Sequence, residues 1–570
     1  MDAVAGFTVG IYNVPQAMSY STLAGLPPVY GLYASIFPPL IYALFGTSRH
    51  TSIGVFSLTC MMINKCIQRI THNSAKYTKI EIATSLCLLT GLIQFVMALT
   101  RCDKMMKFLS APAISAITFS ACFYAMITQI PKMLGVSVPS RQSEWFNIYY
   151  ETVEICKALP ETNAITLAIS LSTMCFLLTM KTFLEPLLRK TWFKKFPFPT
   201  ELITIIVNTC LSYFLNFENN YKVQILNDIP RGFPEPDTPS ISLWPSIVLD
   251  ALSLSIVAYA VTMSMGQMFS KKHKYRVDSN QELLALGIVN ISSSFFSTFP
   301  TSASLSRTLL NEECGAQSQL SGVVASVCIL FVITFIGPLL SSLPTCVLSV
   351  IVTVAVRSLL LNICDLPKLW KYSKHDFFIW LFTAIVTLCS DIVEGVAAGI
   401  LLAVITIAIQ SQQPTIKQLG QVQFNDFKPL LHYSSAKPTS FKIIRFDAPL
   451  IFTNVDKFLD NVKDVSATLR IDNGKDIEFP WTSIIFDCHT WTYTDSMGID
   501  AIQEINDELK SNKIIPMFAN LKTSLRRQYE HAGLMKLIEP NQIYPSIQDA
   551  LDCAHQIVNQ LNNTEDSSKI

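Results

Sequence analysis

Long apolar runs recur along this chain up to about residue 411, and no other feature of the sequence constrains its fold as tightly. A bilayer core of about 30 Å needs roughly 20 apolar residues to cross it as a helix. Runs approaching or reaching that length lie near 3–25, 30–46, 82–100, 106–130, 163–184, 200–217, 246–270, 281–298, 320–340, 344–361, 376–391 and 393–411. Two more segments, 51–68 and 301–314, are shorter and broken, which brings the expected number to fourteen. The expectation is an all-α polytopic membrane domain over 1–411. Only 15% of the 570 residues are charged, against roughly 25% in ordinary soluble domains. The net charge of +1 creates no field directed at nucleic acid.

Cysteine usage agrees with a lipid solvent. Of the fifteen cysteines, Cys87, Cys122, Cys175, Cys210, Cys328 and Cys389 sit inside apolar runs. They read as small apolar residues rather than a disulfide framework. No zinc-finger spacing, P-loop or Ser/His/Asp arrangement is present, so no metal, cofactor or enzymatic activity is expected. The first segment reads as membrane helix almost from Met1, with no basic stretch before it. The N-terminus therefore reads as short and incomplete.

Loop charge gives an orientation. With an inside N-terminus and an even number of spans, the inner loops hold sixteen Lys and Arg and the outer loops nine. The excess places both termini in the cytoplasm. After Gln412-Gln413-Pro414 the composition turns polar. Residues 441–452 and 481–491 read as strands, and 455–470, 498–511, 521–536 and 546–561 as helices. Strands alternating with helices predict a small α/β domain over 436–561, joined by a linker at 412–435 and followed by a polar tail at 562–570.

The two broken segments carry the functional signal. Residues 46–57 and 299–308 are rich in Gly, Ser and Thr, and each reads as an extended stretch feeding a half-length helix. Each is the third segment of a set of seven. Non-helical backbone at membrane depth is tolerated where it lines a cavity or is buried in protein. Matching interruptions in two halves of a chain point to a transporter binding site. Two helix N-termini facing each other make an anion cradle. Arg307 adds a full charge there and Ser306 a hydroxyl. The bland alternative is that Arg307 is a structural partner of Glu312 or Glu313, one to two turns along.

The residues also resemble a known family. "PPVYGLYASIFPPLIYALFGTSR" (27–49) is similar to the signature of the sulfate permease (SulP) anion transporters. "VPQAMSYSTLAGLPP" (14–28) and "KKHKYRVDSNQELLALG" (271–287) resemble animal members. "IIFDCHTWTYTDSMGIDAI" (484–502) resembles a STAS domain, the usual C-terminal partner. The resemblance implies two inverted seven-helix repeats, arranged as core and gate, in a homodimer that moves anions by an elevator-like motion. It implies a plasma-membrane protein with an anion between the third and tenth segments. Carried over, the anion-binding residues are Gln16 and Tyr20, Phe56, and Leu305, Ser306 and Arg307. Gln16 would offer an amide donor, while Tyr20 and Phe56 would present ring edges and shape the pocket.

Two departures from the family pattern matter. Val55 stands where some members carry proline. Proton-coupled members resemble one another in having a carboxylate on the eighth segment, whereas residues 251–277 contain no Asp or Glu, with Asp250 just before them. A proton symporter needs a titratable group near its substrate. Exchange of chloride, bicarbonate, sulfate or oxalate is therefore the expectation. The alternative is an uncoupled chloride channel or a voltage-sensitive anion-binding motor. In the STAS-like segment, Asp495-Ser496-Met497-Gly498 resembles a turn phosphorylated on serine in bacterial relatives, so Ser496 is either a phosphorylation site or a helix cap. Ser568-Lys569-Ile570 fits a C-terminal ligand pattern for a PDZ protein.

Overall fold

The computed structural model describes the chain except for residues 74–75, 105–109, 139–145, 185–199, 227–231, 391, 424, 473–481, 539–541 and 568–570. The C-terminal tripeptide lies outside the described residues. The chain divides into two compact units, Met1–Ala403 and Val404–Ile570.

The first unit is helical. Its elements are α1 (Asp2–Leu23), α2 (Pro28–Tyr33), α3 (Phe37–Phe45), β1 (Ile53–Gly54), α4 (Ser57–Asn73), α5 (Lys79–Leu99), α6 (Ala111–Leu134), α7 (Asn147–Ala158), α8 (Ala164–Thr179), α9 (Thr200–Leu215), α10 (Trp244–His273), α11 (Ser279–Ser294), β2 (Ser302–Ala303), α12 (Leu305–Glu313), α13 (Leu320–Phe331), α14 (Thr345–Leu360), α15 (Lys374–Cys389) and α16 (Ile392–Gln412). Six candidate spans among the described residues are long and apolar enough to cross a membrane, with shorter apolar helices beside them. Large apolar side chains such as Leu211, Phe214, Phe382 and Leu401 are exposed on the outside of this unit. An apolar exterior around a packed interior is what a lipid solvent permits.

The second run, read as one span over 30–46, is two helices. Pro38 and Pro39 lie in the first turn of α3, where their missing N–H groups cost no hydrogen bond, so the chain stops and restarts there. The two broken segments fold as expected, each an extended pair of residues followed by a helix. The pairs meet: β1 and β2 run antiparallel, with Ile53 opposite Ala303 and Gly54 opposite Ser302.

The second unit is an α/β domain. Its elements are β3 (Ile416–Gln423), β4 (Asp426–Pro429), β5 (Lys442–Phe446), α17 (Val455–Asp472), β6 (Thr482–Asp487), α18 (Ser496–Ser511), β7 (Ile514–Ala519), α19 (Thr523–His531), β8 (Ile543–Tyr544) and α20 (Ile547–Ser567). The sheet order is β4-β3-β5-β6-β7-β8, with β5 to β8 parallel and β3 antiparallel to both neighbours. Strand alternation sorts the core. Ile444, Phe446, Ile484 and Phe486 face α17, α18 and α19, while Ile443, Ile485 and Met517 face α20.

Much of the stretch read as a linker at 412–435 is therefore part of the sheet. Its residues alternate weakly, because β3 pairs on both edges yet buries only Leu419 and Gly420. The cap of α18 also differs from expectation. Asp495, not Ser496, is the N-cap, with Oδ1 accepting from the Gly498 N–H at 2.9 Å and Oδ2 from the Phe452 N–H at 2.7 Å. Ser496 is the first helical residue, and a carboxylate already holds the helix N-terminus beside it.

Candidate anion site

The site is assembled by residues that hold the two extended pairs in place. Glu282, 1% exposed in the first turn of α11, clamps the chain before β1. Its Oε2 accepts from the Tyr42 hydroxyl at 2.7 Å, and its Oε1 from the N–H groups of Thr47 and Ser48 at 2.7 and 2.9 Å. Gln319 donates to the carbonyls of Ser48 and Thr51 at 2.8 and 2.9 Å. The approach to β2 is held in the same way. Asn290 Oδ1 accepts from the Thr301 N–H at 3.1 Å, and Thr262 Oγ1 from the Ala303 N–H at 3.1 Å. A buried backbone donor without a partner costs roughly 1–3 kcal/mol, so these side chains make the irregular backbone tolerable at this depth.

The pairing of β1 with β2 brings the starts of α4 and α12 to one place. Arg307, in the first turn of α12, is fully buried. Its Nη1 donates to the Val55 carbonyl at 2.6 Å, and more weakly to Gln16 Oε1 at 3.3 Å and Asn13 Oδ1 at 3.4 Å. Among the described residues, its Nε and Nη2 have no hydrogen-bond partner. Of the two acids named as alternative partners, Glu312 is engaged elsewhere and accepts from Lys272 and His273, each at 2.9 Å. Gly54 has a φ of +152°, and a Cβ there would stand 3.1 Å from Arg307 Nη2. Glycine thus serves both the backbone conformation and the close approach of the guanidinium.

Four of the six residues expected at the site are joined by hydrogen bonds. Gln16 Nε2 donates to the Tyr20 hydroxyl at 3.3 Å and to Ser306 Oγ at 3.2 Å, while its Oε1 meets Arg307. Phe56 follows the Val55 carbonyl directly and is buried; Leu305 precedes Ser306 and is half-buried. A cavity of about 300 Å³ reaches Gln16 and Ser306 of this group and is lined also by Tyr12, Lys181 and Arg357, while Arg307 lies behind its wall. The arrangement offers N–H donors, a hydroxyl and one unneutralised guanidinium, and no carboxylate is hydrogen-bonded to Arg307 among the described residues.

Asn13, Lys181, Arg357 and Glu282 escape a reading of sequence alone. Asn13 lies three residues before Gln16, on the same helix face, and that spacing is a usable signal. Lys181 and Arg357 sit near the ends of apolar runs, where basic residues are ordinarily loop charge. Asp250, just before the acid-free stretch, is paired with Arg69 of α4.

Comparison with known proteins supports both units. The model of the sulfate permease family matches residues 1–383, and that of the STAS domain residues 433–550. A sulfate transporter of Equus caballus is 31% identical, over 98% of this chain and 84% of its own length. Solute carrier family 26 member 6 of Homo sapiens is also 31% identical, over 81% of this chain and 62% of its own length. The structure of the murine solute carrier 26 family member A9 anion transporter in the inward-facing state is 28% identical, with a TM-score of 0.87 over 97% of this chain and 91% of that one. The transmembrane domain of a cyanobacterial bicarbonate transporter, BicA, shares the fold at 19% identity and a TM-score of 0.57, covering 71% of this chain and 96% of that one. With this match over two thirds of its length and a STAS domain behind it, the chain belongs to the sulfate permease family.

Proposed function

We propose that this chain is a secondary active exchanger of small anions, taking chloride, bicarbonate, sulfate or oxalate through an elevator-type alternating-access cycle. One observation carries the reading. A fully buried arginine keeps two of its nitrogens without a partner among the described residues, between the starts of two helices. Burying a charge with no compensating partner is costly, and an anion supplies the missing one. The named relatives are sulfate and anion transporters, which fits that chemistry. Exchange is favoured over proton symport because residues 251–277 lack an acid and Asp250 is paired with Arg69. The protein acts as a homodimer in the plasma membrane, with both termini in the cytoplasm. Ser496 is an available phosphorylation site, and the C-terminal tripeptide a PDZ ligand.

Uptake of radiolabelled sulfate, with chloride and oxalate as competitors, tests this. Uptake is expected to saturate and to require a counter-anion, and Arg307→Ser to weaken sulfate affinity by at least about tenfold. Unchanged affinity in Arg307→Ser removes the site assignment. Large chloride currents without counter-anion dependence would replace exchange with a channel, and a nonlinear capacitance without flux would replace it with a motor.

A further inference from the structure

The short helix Leu366–Tyr372, between α14 and α15, presents a surface that the anion site does not use. Leu366 and Leu369 pack on Ala116 of α6 and on Trp380 and Ala384 of α15, which fixes the helix against the membrane unit. The opposite face carries Trp370, Lys371 and Tyr372, all exposed, with Tyr372 at 88%.

Trp370 continues a stripe that begins on α15. Its ring meets Phe377 edge-on, with centroids 4.8 Å apart, and Phe378 at 5.9 Å. Phe378 and Phe382, one turn apart on α15, are exposed on the apolar outside of the unit. The stripe therefore runs along the lipid-facing side of α15 and ends at an indole beside a phenol. Tryptophan and tyrosine favour the headgroup level of a bilayer, where the ring is apolar and its polar edge stays wet.

The same place carries charge. Lys374 Nζ stands 5.7 Å from the centre of the Trp370 ring. Lys368 is paired with Asp365 at 2.9 Å on the surface. Asp376, half-buried in the first turn of α15, is the other acid of residues 361–376. Among the described residues, neither Lys371 nor Lys374 has a carboxylate partner. Two exposed ammonium groups thus flank the end of an aromatic stripe that lies in lipid.

We propose that the face formed by Trp370, Lys371, Tyr372 and Lys374 is a docking surface for acidic phospholipid headgroups. The rings lie at the boundary of headgroups and acyl chains, and the two ammonium groups meet the negative headgroup. A zwitterionic headgroup brings its own cation beside its phosphate and satisfies them less well. The continuity of the stripe favours lipid over a protein partner, which would have to cover Trp370 and leave Phe378 and Phe382 in the bilayer. The docked segment leads directly into the cavity wall, where Val354, Ala355, Arg357 and Leu361 stand. A lipid held there steadies that wall, and flux rises with acidic lipid. This consequence for flux rests on the exchange reading; the docking does not.

The test uses the full chain reconstituted in phosphatidylcholine vesicles, with or without about 20% phosphatidylserine. Bromine near the headgroup end of an acyl chain quenches indole fluorescence on contact. The share of Trp370 is the difference between the wild type and Trp370→Phe. Bromine on phosphatidylserine is expected to quench that share at least about fivefold more effectively, lipid for lipid, than bromine on phosphatidylcholine. Replacing Lys371 and Lys374 together by glutamine is expected to remove the preference, and replacing both by arginine to keep it. Equal quenching by the two lipids makes the face merely lipid-exposed and overturns the proposal. Quenching by neither places a protein over the face and overturns it as well. If the glutamine pair fails to reconstitute, the wild-type preference decides alone. In the same vesicles, saturable uptake of radiolabelled chloride against internal chloride is expected to rise about fivefold with phosphatidylserine, and not to rise in the glutamine pair. Uptake indifferent to phosphatidylserine removes the link to flux. Absence of saturable uptake beside a clear headgroup preference sinks the exchange reading and leaves the docking surface in place.

Discussion

Arg307 Nη1 donates to the Val55 carbonyl at 2.6 Å, and this single bond joins the first turn of α12 to the residue that precedes Phe56 and α4. The charge is therefore held by the backbone of the other broken segment rather than by an acid. A backbone carbonyl orients a guanidinium without neutralising it, which leaves its charge available to a ligand. The contact survives only if β1 stays in register with β2.

Gly54 is the most sensitive point of that register. Gly54→Ala forces a side chain into a φ of +152° and places its Cβ 3.1 Å from Arg307 Nη2. Strain of about 1–3 kcal/mol is expected; relieved by displacing the guanidinium, it is read as a fall of roughly fivefold or more in anion affinity, since about 1.4 kcal/mol is tenfold. Surface expression is expected to remain. Competition of radiolabelled sulfate uptake by chloride, scaled to surface protein, measures it. Wild-type affinity in this variant would mean the guanidinium does not need its present position.

Glu282 works at a distance from the proposed site. Its carboxylate satisfies two backbone N–H groups and the Tyr42 hydroxyl. Glu282→Gln keeps the shape but turns an NH2 group toward those donors. A loss of about 2 kcal/mol in stability is expected, seen as a lower melting temperature of the solubilised full chain. Saturating chloride is expected to recover part of the loss by mass action. An unshifted melting temperature would show that the loop before β1 is held by Gln319 alone.

In the C-terminal domain, Asp495 and Ser496 separate cap from neighbour. Asp495→Ala removes the acceptor for the Gly498 and Phe452 N–H groups and is expected to cost about 1 kcal/mol. Ser496→Ala is expected to stay within about 0.5 kcal/mol. Hydrogen exchange at the first turn of α18 distinguishes them, with faster exchange in Asp495→Ala only. The reverse order would return the capping role to Ser496.

Cys488 gives that domain an alkaline limit. Burial, followed by the nearby Asp487 carboxylate, pushes its thiol well above the ordinary range. The folded domain thus disfavours the thiolate, and stability is expected to fall as pH rises past the unfolded thiol value of about 8.5. In the native chain, maleimide is expected to label exposed Cys156 and Cys364 and to spare Cys488 until denaturant is added. Labelling of Cys488 in the native state at neutral pH would contradict its burial.

Much of this architecture was legible before any coordinates, because a bilayer imposes a length on apolar runs and forbids idle backbone. The interruptions at 46–57 and 299–308 stood out for that reason, and they became β1 and β2. What stayed hidden was side-chain traffic over long separations. No local pattern reveals that Glu282 reaches back to Thr47, or that Arg307 is hydrogen-bonded to no carboxylate among the described residues while Glu312 binds Lys272 and His273. The strands β3 and β4 were hidden for a different reason. β3 buries two of its eight residues, side by side, and so lacks the alternation that marks a strand, while β4 alternates but is only four residues long and ends in Pro429.

The pairing of β1 with β2 also has a meaning for biosynthesis. The two partners of the Arg307–Val55 bond are 252 positions apart. While the chain is being made, the first extended pair must wait, its hydrogen-bonding edge open, until the second repeat has been threaded into the membrane. A chain halted between those two points has the lipid-facing helices of one repeat and no seat for a ligand. The proposed anion seat is thus among the last parts of the membrane unit to close, and a fault in either broken segment leaves the other without its partner.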